Sequence, residues 1–580
     1  MLQCGAPPSG GTDNPTSFLG ATARVPAVSM LSLHPTALDY SIIAIYFAVV
    51  LGIGFAARRY IKTDLDFFLS GRSLPAWITG LAFVAANLGA LEILGMAANG
   101  AQYGVPTVHY YWIGAVPAMV FLGLVMMPFY YGAKVRSVPE YLRLRFNDAT
   151  HIFNAATFAV ATILIAGVNL FALALVLNLM LGWSIAVSIL VAAAIVLVYI
   201  ALGGLSSAIY NEVLQFFVIL AALIPLVAVS LVKIGGIGGL KDAVHDSALG
   251  KAGTHAWQGL GIAHHTSPLD TSWIALVFGL GFVLSFGYWT TNFAEVQRAL
   301  SAKNLSAAQR TPLIGAYPKI FIPALTIIPG LVALVTVHGL GAKTGALQYN
   351  NSIPLLIRDL FPTGILGLAI TGLMASFMAG VAANVTAFNT VVTYDLWQDY
   401  VKPNRDPSYY LRFGRIATVV GILVAVATAF IAKGYSNIMN YVQLLFSYFN
   451  APLFATFVIG MFWRRTTPWG GFFGLVAGTL GAFLTHELAS NGVIHIGTQL
   501  AESFWGAIVA FVADAVVTVG VSLATQPKPE EELRGLVWGL SRTDERKEEL
   551  SAADRVWWRN PKLLGAGAIA LIVVLNIIFI

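Results

Sequence analysis

Several ionisable and amide side chains of this 580-residue chain lie inside long apolar runs. Glu92 is the clearest case, in the run LAFVAANLGALEILGMAANG, with Asn87 five residues before it. Lys319 and Gln443 belong to apolar surroundings further along the chain. A charged or strongly polar group within a membrane segment costs free energy, so its presence there indicates a substrate or ion pathway. A carboxyl, an amine and two amides suit the binding of a small polar solute.

Structural roles are the alternative for each of these residues. Glu92 could be hydrogen-bonded to a neighbouring helix, and Gln443 could join two helices in the same way. Lys319 could extend its ammonium group to the cytoplasmic interface. Tyr288 and Trp289 could belong to an aromatic belt at the membrane surface.

The elements that must hold these residues are membrane-spanning helices. Hydrophobic residues make up 57% of the chain and charged residues 10%, against about a quarter in a typical soluble domain. Runs long enough to cross a bilayer, about 20 residues each, occur fourteen times. They lie at 39–58, 75–98, 106–130, 151–181, 184–202, 208–233, 272–291, 316–338, 363–395, 412–433, 437–463, 470–487, 503–525 and 563–580. Because lipid offers no hydrogen bonds to the backbone, the runs predict an all-α polytopic membrane protein.

The basic residues predict how the chain crosses the membrane. With the N-terminus outside, the cytoplasmic segments hold 25 of the 33 Lys and Arg residues, as the positive-inside rule requires. Fourteen spans then put the C-terminus outside as well, and the cell membrane is the expected location. The net charge is +6, but the charged residues lie between apolar runs rather than along one face. The charge therefore does not indicate a nucleic-acid partner. The single cysteine, Cys4, excludes a disulfide framework or a cysteine metal site.

Glycine-interrupted spans predict an internal repeat. Gly89 and Gly95 interrupt the second span, and Gly279, Gly281 and Gly287 interrupt the seventh. Such a pair in corresponding positions points to a binding site at the membrane midplane of an inverted-repeat transporter, although glycines also allow helices to pack closely. The predicted division is a disordered tail at 1–38, a first helix and cytoplasmic loop at 39–74, repeat one at 75–233, an extracellular loop at 234–271, repeat two at 272–463, and peripheral helices at 464–580 with a cytoplasmic linker at 526–562.

Six ordered segments resemble the sodium:solute symporter family, and most closely its sodium/glucose cotransporter branch. They are DFFLSGRSLPAW (66–77), VRSVPEYLRLRF (135–146), GGLSSAIYNEVLQ (203–215), YWTTNFAEVQRALSAKNLSAAQ (288–309), YVQLLFSYFNAPLFATFVIGMFWRR (441–465) and GLVWGLSRTDERKEEL (535–550). The resemblance implies fourteen helices around a five-plus-five inverted repeat, the leucine-transporter-like fold. It also implies transport of a solute by alternating access.

The resemblance also implies a substrate site. Residues at the positions of the family's substrate contacts are Asn87, Glu92, Tyr111, Ser285, Tyr288, Trp289, Lys319 and Gln443. Two of them depart from the sugar transporters: Glu92 stands where relatives have histidine or glutamine, and Tyr111 replaces a glutamate. The remaining donors and acceptors suit hydroxyl groups, so a sugar or polyol is the expected solute.

The family's sodium site is incomplete in this sequence. Its backbone carbonyl ligands match Ala85 and Leu88 in the opened helix and Ser376 in a later one. Its two hydroxyl residues are replaced by Ala379 and Gly380, which have no side-chain oxygen. Hard cations take oxygen ligands, so we expect sodium coupling through this site to be weak or absent.

Three other modes of coupling stay open. Glu92 could exchange a proton beside the solute, the chain could be an uncoupled uniporter, or it could be a sodium symporter with an altered site for a non-sugar solute. Glu212 matches an aspartate that assists sodium coupling in relatives, although its place near a span end, like that of Asp395, favours a solvated position. No cofactor, bound metal or catalytic residue is expected, because no HExxH or GxSxG pattern occurs in the spans.

Overall fold

The computed structural model describes residues 35–58, 64–132, 135–262, 266–342, 347–540 and 556–580. Most of the predicted tail 1–38, and residues 541–555 of the predicted linker 526–562, lie outside the described residues. The described residues are helical, with one isolated bridge between Leu74 and Ala302.

Apart from four short 3-10 helices, the described residues form twenty helices, numbered here along the chain. They are α1 Ala37–Arg58, α2 Asp64–Leu69, α3 Ala76–Asn87, α4 Leu91–Tyr103, α5 Val105–Tyr131, α6 Val138–Arg145, α7 Asp148–Leu181, α8 Ile185–Lys233, α9 Gly236–His245, α10 Ala275–Thr291, α11 Phe293–Leu300, α12 Leu305–Thr336, α13 Ser352–Leu360, α14 Ile365–Val401, α15 Pro407–Ala432, α16 Ile438–Phe462, α17 Pro468–Ser490, α18 Gln499–Ala524, α19 Glu530–Leu533 and α20 Pro561–Ile578.

Asparagine caps fix where three of the long helices begin. The side chain of Asn147 accepts a hydrogen bond from the Thr150 amide at the start of α7, and Asn304 and Asn437 cap α12 and α16 in the same way. Such a cap satisfies an amide that has no partner within the helix. Because Asn304 starts α12 well before the predicted boundary at 316, Lys319 lies inside the helix rather than at its end.

Most of the predicted spans are confirmed, but their number is not. Eleven helices of the described residues are long and apolar enough to cross a membrane, or thirteen if each of two bent pairs counts as one span. The predicted span 184–202 corresponds to the shorter apolar helix Ile185–Val198. It is followed by a kink in α8 at Gly204, where φ is 52°.

The first bent pair confirms the predicted opening of the second span. Helices α3 and α4 meet at 56°, and the break between Asn87 and Leu91 contains Gly89. A Cβ at Gly89 would lie 2.5 Å from Asn169 Oδ1, so only glycine fits where the broken helix approaches α7.

The predicted opening of the seventh span at its glycines is wrong. Helix α10 continues through all three glycines and bends by 49° against α11 at Asn292. A Cβ at Gly279 would lie 2.4 Å from the Phe504 carbonyl oxygen, and one at Gly287 would lie 2.8 Å from that of Asn450. The glycines therefore allow α10 to pack against α18 and α16.

Two contacts join segments that lie at the ends of the helix bundle. At one end, Arg143 NH1 lies 2.7 Å from Asp399 Oδ2. At the other, Asn350 Nδ2 donates to the Tyr435 carbonyl oxygen at 2.9 Å. Each contact joins segments that the predicted topology places on the same side of the membrane.

Candidate functional site

All eight residues predicted to contact substrate line a single cavity at the centre of the bundle. Helices α3, α4, α5, α10, α12 and α16 supply them. They are Asn87, Glu92, Tyr111, Ser285, Tyr288, Trp289, Lys319 and Gln443. The break between α3 and α4 places Asn87 and Glu92 on the same cavity, since the chain changes direction between them.

A buried ion pair lies in the wall of the cavity. Lys319 Nζ is 2.9 Å from Glu92 Oε2, and the two residues are 1% and 7% exposed. The ammonium also lies 5.4 Å from the ring centroid of Tyr111 and 5.1 Å from that of Trp289, within the range of cation–π attraction. Lys319 therefore does not extend to the membrane surface, and the pair leaves the cavity without net charge from these two groups.

Hydrogen bonds extend from this ion pair through the cavity wall. Lys319 donates to Asn87 Oδ1, Asn87 Nδ2 donates to the Tyr288 hydroxyl at 2.8 Å, and that hydroxyl donates to Glu295 Oε1 at 2.7 Å. Five side chains thus form one network with Glu92 at one end and Glu295 at the other. The network holds Asn87 and Tyr288 in fixed orientations, as positioning residues in a binding site require.

Glu295 is the residue of this network that the sequence interpretation missed. It lies on α11 with 2% exposure, and its Oε2 atom has no hydrogen-bond partner among the described residues. The seventh span was predicted to end at 291, which assigned Glu295 to a cytoplasmic loop. The sequence does contain an acidic residue four positions after the apolar run. It indicates a buried carboxyl only when α11 is known to continue the span after a bend.

Two oxygen atoms of the eight predicted residues lack a hydrogen-bond partner among the described residues. Glu92 Oε1 and Gln443 Oε1 are buried and accept no hydrogen bond from the described residues. The amide nitrogen of Gln443 donates to the Met439 sulfur at 3.4 Å. Buried acceptors without partners are costly, so these two oxygens are the unsatisfied acceptors among the predicted substrate contacts.

The predicted sodium ligands lie together, but their hydrogen bonding differs from that of an open ion site. Ser376 donates its hydroxyl to the Leu88 carbonyl oxygen, and the Ala85 carbonyl accepts the Leu88 amide at 3.1 Å. Ala379 and Gly380 lie buried on α14 and offer no side-chain oxygen. The residues present do not reproduce the ligand set that the resemblance implies.

Glu212 is not solvated as predicted. It is fully buried, and both of its oxygens accept from Arg298, with Nε 3.2 Å from Oε2. The pair joins α8 to α11, the helix that follows the bend at Asn292. The predicted ends of the membrane spans do not reveal this partner, because Arg298 is 86 residues away in sequence.

Asp395 is also buried, again contrary to the predicted solvated position. Ser137 Oγ donates to its Oδ1 at 2.6 Å, and His151 Nε2 lies 3.0 Å from the same atom. Ligand atoms of His151, Asp395 and Asp399 lie within 4.8 Å of one another, the only such group of potential metal ligands among the described residues. Arg143 already pairs with Asp399, so this cluster is a polar contact between α6, α7 and α14.

Many apolar helices, two bent helix pairs and a cavity between them are typical of a polytopic membrane transporter. The family model of the sodium:solute symporter family matches residues 67–478, and the chain belongs to that family. The resemblance found in the sequence is thereby confirmed.

Curated relatives and one solved structure agree with this assignment. The chain is 28% identical to sodium/glucose cotransporter 4 of Danio rerio over 550 residues, which cover 89% of this chain and 83% of the relative. It is 29% identical to the sodium/glucose cotransporter of Vibrio parahaemolyticus, over 76% of this chain and 83% of the relative. It is 28% identical to sodium/myo-inositol cotransporter 2 of Oryctolagus cuniculus, over 87% and 79%. The substrate-bound, outward-open structure of a Na⁺-coupled sialic acid symporter matches with a TM-score of 0.71 and 18% identity, covering 85% of this chain and 99% of that one. The fold is leucine-transporter-like.

Proposed function

We propose that this chain moves a sugar or a similar small polyhydroxy solute across the membrane by alternating access. The observation that carries the proposal is the chemistry of the cavity. Glu92 and Gln443 present unpartnered acceptors, and the charge of Glu92 is balanced by Lys319. Aromatic walls with a few polar groups that fix orientation are typical of small-molecule sites. A neutral solute with several hydroxyls matches this combination.

The names of the relatives support the same class of solute. Those compared above are described as cotransporters of glucose and of myo-inositol, a sugar and a polyol. Tyr111, in place of the family's glutamate, removes one acceptor from the cavity and instead contributes a ring beside Lys319. We therefore expect the solute preference to differ from that of the glucose transporters in detail.

We further propose that sodium does not drive transport through the family's site. The absence of side-chain oxygens at Ala379 and Gly380 supports this, as does the hydrogen bond that occupies the Leu88 carbonyl. Uncoupled transport and proton coupling are then the two modes to distinguish. Glu92 is already engaged in an ion pair with Lys319, so uniport is the mode that we propose.

The protein is multi-pass, and we propose that it lies in the cell membrane with both termini outside. The distribution of Lys and Arg residues supports this orientation.

Uptake into liposomes tests the proposed function. Radiolabelled glucose, galactose and myo-inositol would be offered with an inward gradient of sodium, potassium or choline, at equal pH on both sides. We expect saturable entry with counterflow, at the same rate in all three salts. Entry that concentrates solute only with sodium would contradict the coupling proposal, and no entry of any of the three solutes would contradict the solute class.

Two matched variants of α16 link uptake to the cavity. Gln443→Ala removes an unpartnered acceptor of the cavity, whereas Ser447→Ala, one helical turn away, removes a hydroxyl that donates to the Leu444 carbonyl. Loss of one solute hydrogen bond, about 0.5–1.5 kcal/mol, raises KM by roughly twofold to tenfold. We expect this change for the first variant and an unchanged KM for the second.

A further inference from the structure

The break between α3 and α4 leaves backbone groups without helical partners, and two side chains from other helices satisfy them. Asn169 Oδ1, on α7, accepts the Ala90 amide at 2.8 Å. Ser376, on α14, donates its hydroxyl to the Leu88 carbonyl. Asn169 is 2% exposed and Ser376 is fully buried. Both contacts therefore lie in the protein interior, away from water.

The amide of Asn169 also fills the space beside α14. A Cβ at Gly380 would lie 2.2 Å from Asn169 Oδ1 and 2.6 Å from its Cγ, distances that atoms cannot adopt. A Cβ at Gly89 would meet the same oxygen at 2.5 Å. No side chain larger than hydrogen fits at either glycine while Asn169 is in place, and this includes the hydroxyl side chain that the family has at the position of Gly380.

We propose that Asn169 and Ser376 replace the cation at this site, holding the broken helix by hydrogen bonds that are always present. Ser376 supplies to the Leu88 carbonyl the positive partner that a bound ion would supply. Asn169 fixes Ala90 and occupies the space of the missing ligand. Asn169 is thus a positioning residue for the opened helix. This inference rests on the proposal that sodium does not drive transport through the family's site, and it identifies the residues that make the ion unnecessary.

The side-chain nitrogen of Asn169 explains why an amide suits this position. Its Nδ2 donates to the Ile165 carbonyl one turn earlier on α7, at 3.1 Å. The amide therefore donates to its own helix and accepts from the broken one. A carboxylate could accept from Ala90 but could not donate to Ile165, and an alanine could do neither.

A double-mutant cycle on the purified, full-length protein tests the inference. The variants are Asn169→Ala, Gly380→Ser and the two combined, and the readout is the melting temperature in detergent, in sodium chloride and in choline chloride. We expect Gly380→Ser to lower the melting temperature strongly because its side chain overlaps Asn169. The combined variant should melt higher than Gly380→Ser alone, because Asn169→Ala makes room. Residues that do not touch contribute additively, whereas residues in contact do not.

Asn178→Ala provides the matched control, since Asn178 lies on the same helix and donates to the Trp183 carbonyl. It should lower the melting temperature by the same amount with glycine or serine at 380. If Gly380→Ser does not express, Gly380→Ala serves in the cycle, because the Cβ alone creates the overlap.

Two results would overturn the inference: additive effects of Asn169→Ala and Gly380→Ser, or a melting temperature of the unaltered protein that rises with sodium. Melting does not depend on which solute is carried. A protein that shows the non-additive cycle but carries no sugar would therefore refute the proposed function and leave this inference intact.

Discussion

At the scale of single residues, the central observation is that the ionisable groups of the cavity are paired. Glu92 was predicted as a lone carboxyl beside the solute, whereas Lys319 neutralises it at 2.9 Å. The sequence identified both residues but could not join them, because they are 227 positions apart and lie on different helices. Both were predicted as substrate contacts, and the pairing adds that together they present a hydrogen-bonding surface without net charge.

Breaking this pair should destabilise the protein more than removing it. Lys319→Met leaves the Glu92 carboxyl buried without its partner, at a cost of about 3–5 kcal/mol. Combining it with Glu92→Gln should restore most of the loss, since no uncompensated charge is then buried. Thermal melting of purified protein measures both, with exposed Lys433→Met as the control that should change nothing. Equal losses for the single and the combined variant would contradict the pairing.

The two carboxyls at the ends of the hydrogen-bond network predict how uptake responds to pH. If transport is uncoupled, an inward proton gradient should leave the initial rate of solute entry unchanged in the natural protein, in Glu92→Gln and in Glu295→Gln. A proton-driven accumulation that Glu92→Gln alone abolishes would establish the alternative coupling through that residue. An accumulation that persists in Glu92→Gln but vanishes in Glu295→Gln would assign the proton to Glu295.

At the scale of helices, close approach of backbones decides the geometry of the site. Helix α10 carries Ser285, Tyr288 and Trp289, and its glycines set the distance to α18 and α16. The sequence predicted these glycines as the place where the helix opens. Glycine serves both purposes, and only the packing partners tell them apart.

Two glycines of α10 therefore differ in their tolerance of alanine. At Gly279 a Cβ would lie 2.4 Å from the Phe504 backbone oxygen, whereas at Gly281 it would lie no closer than 3.3 Å to any neighbour. We expect Gly279→Ala to destabilise the protein by about 1–3 kcal/mol, the usual cost of overpacking. Gly281→Ala should have little effect. Melting temperatures and solute affinity of the two variants check this, and a hinge role for both glycines would instead impair transport in both variants without loss of stability.

At the scale of the whole molecule, the topology predicted from the basic residues can be tested directly. Ser490, at the end of α17, is predicted outside, and Ser408, at the start of α15, is predicted inside; both are exposed. In a Cys4→Ser background, Ser490→Cys should react with a membrane-impermeant maleimide in intact cells. Ser408→Cys should react only after the cells are permeabilised. The reverse pattern would invert the orientation, and labelling of both in intact cells would mean an incorrect span count between them.

The sequence by itself determined the class of protein, the family and eight of the residues that line the cavity. Apolar runs of membrane length and ordered motifs are local properties of the sequence. Residues at the motif positions lie around the same cavity because the chain shares the fold of the family. The tertiary structure decided the partners. Lys319 with Glu92, Asn87 with Tyr288, Arg298 with Glu212, and Asn169 beside Gly380 all join residues distant in sequence. A buried polar group acquires its chemical role from whichever group compensates it, and that group is chosen by helix packing rather than by the surrounding sequence.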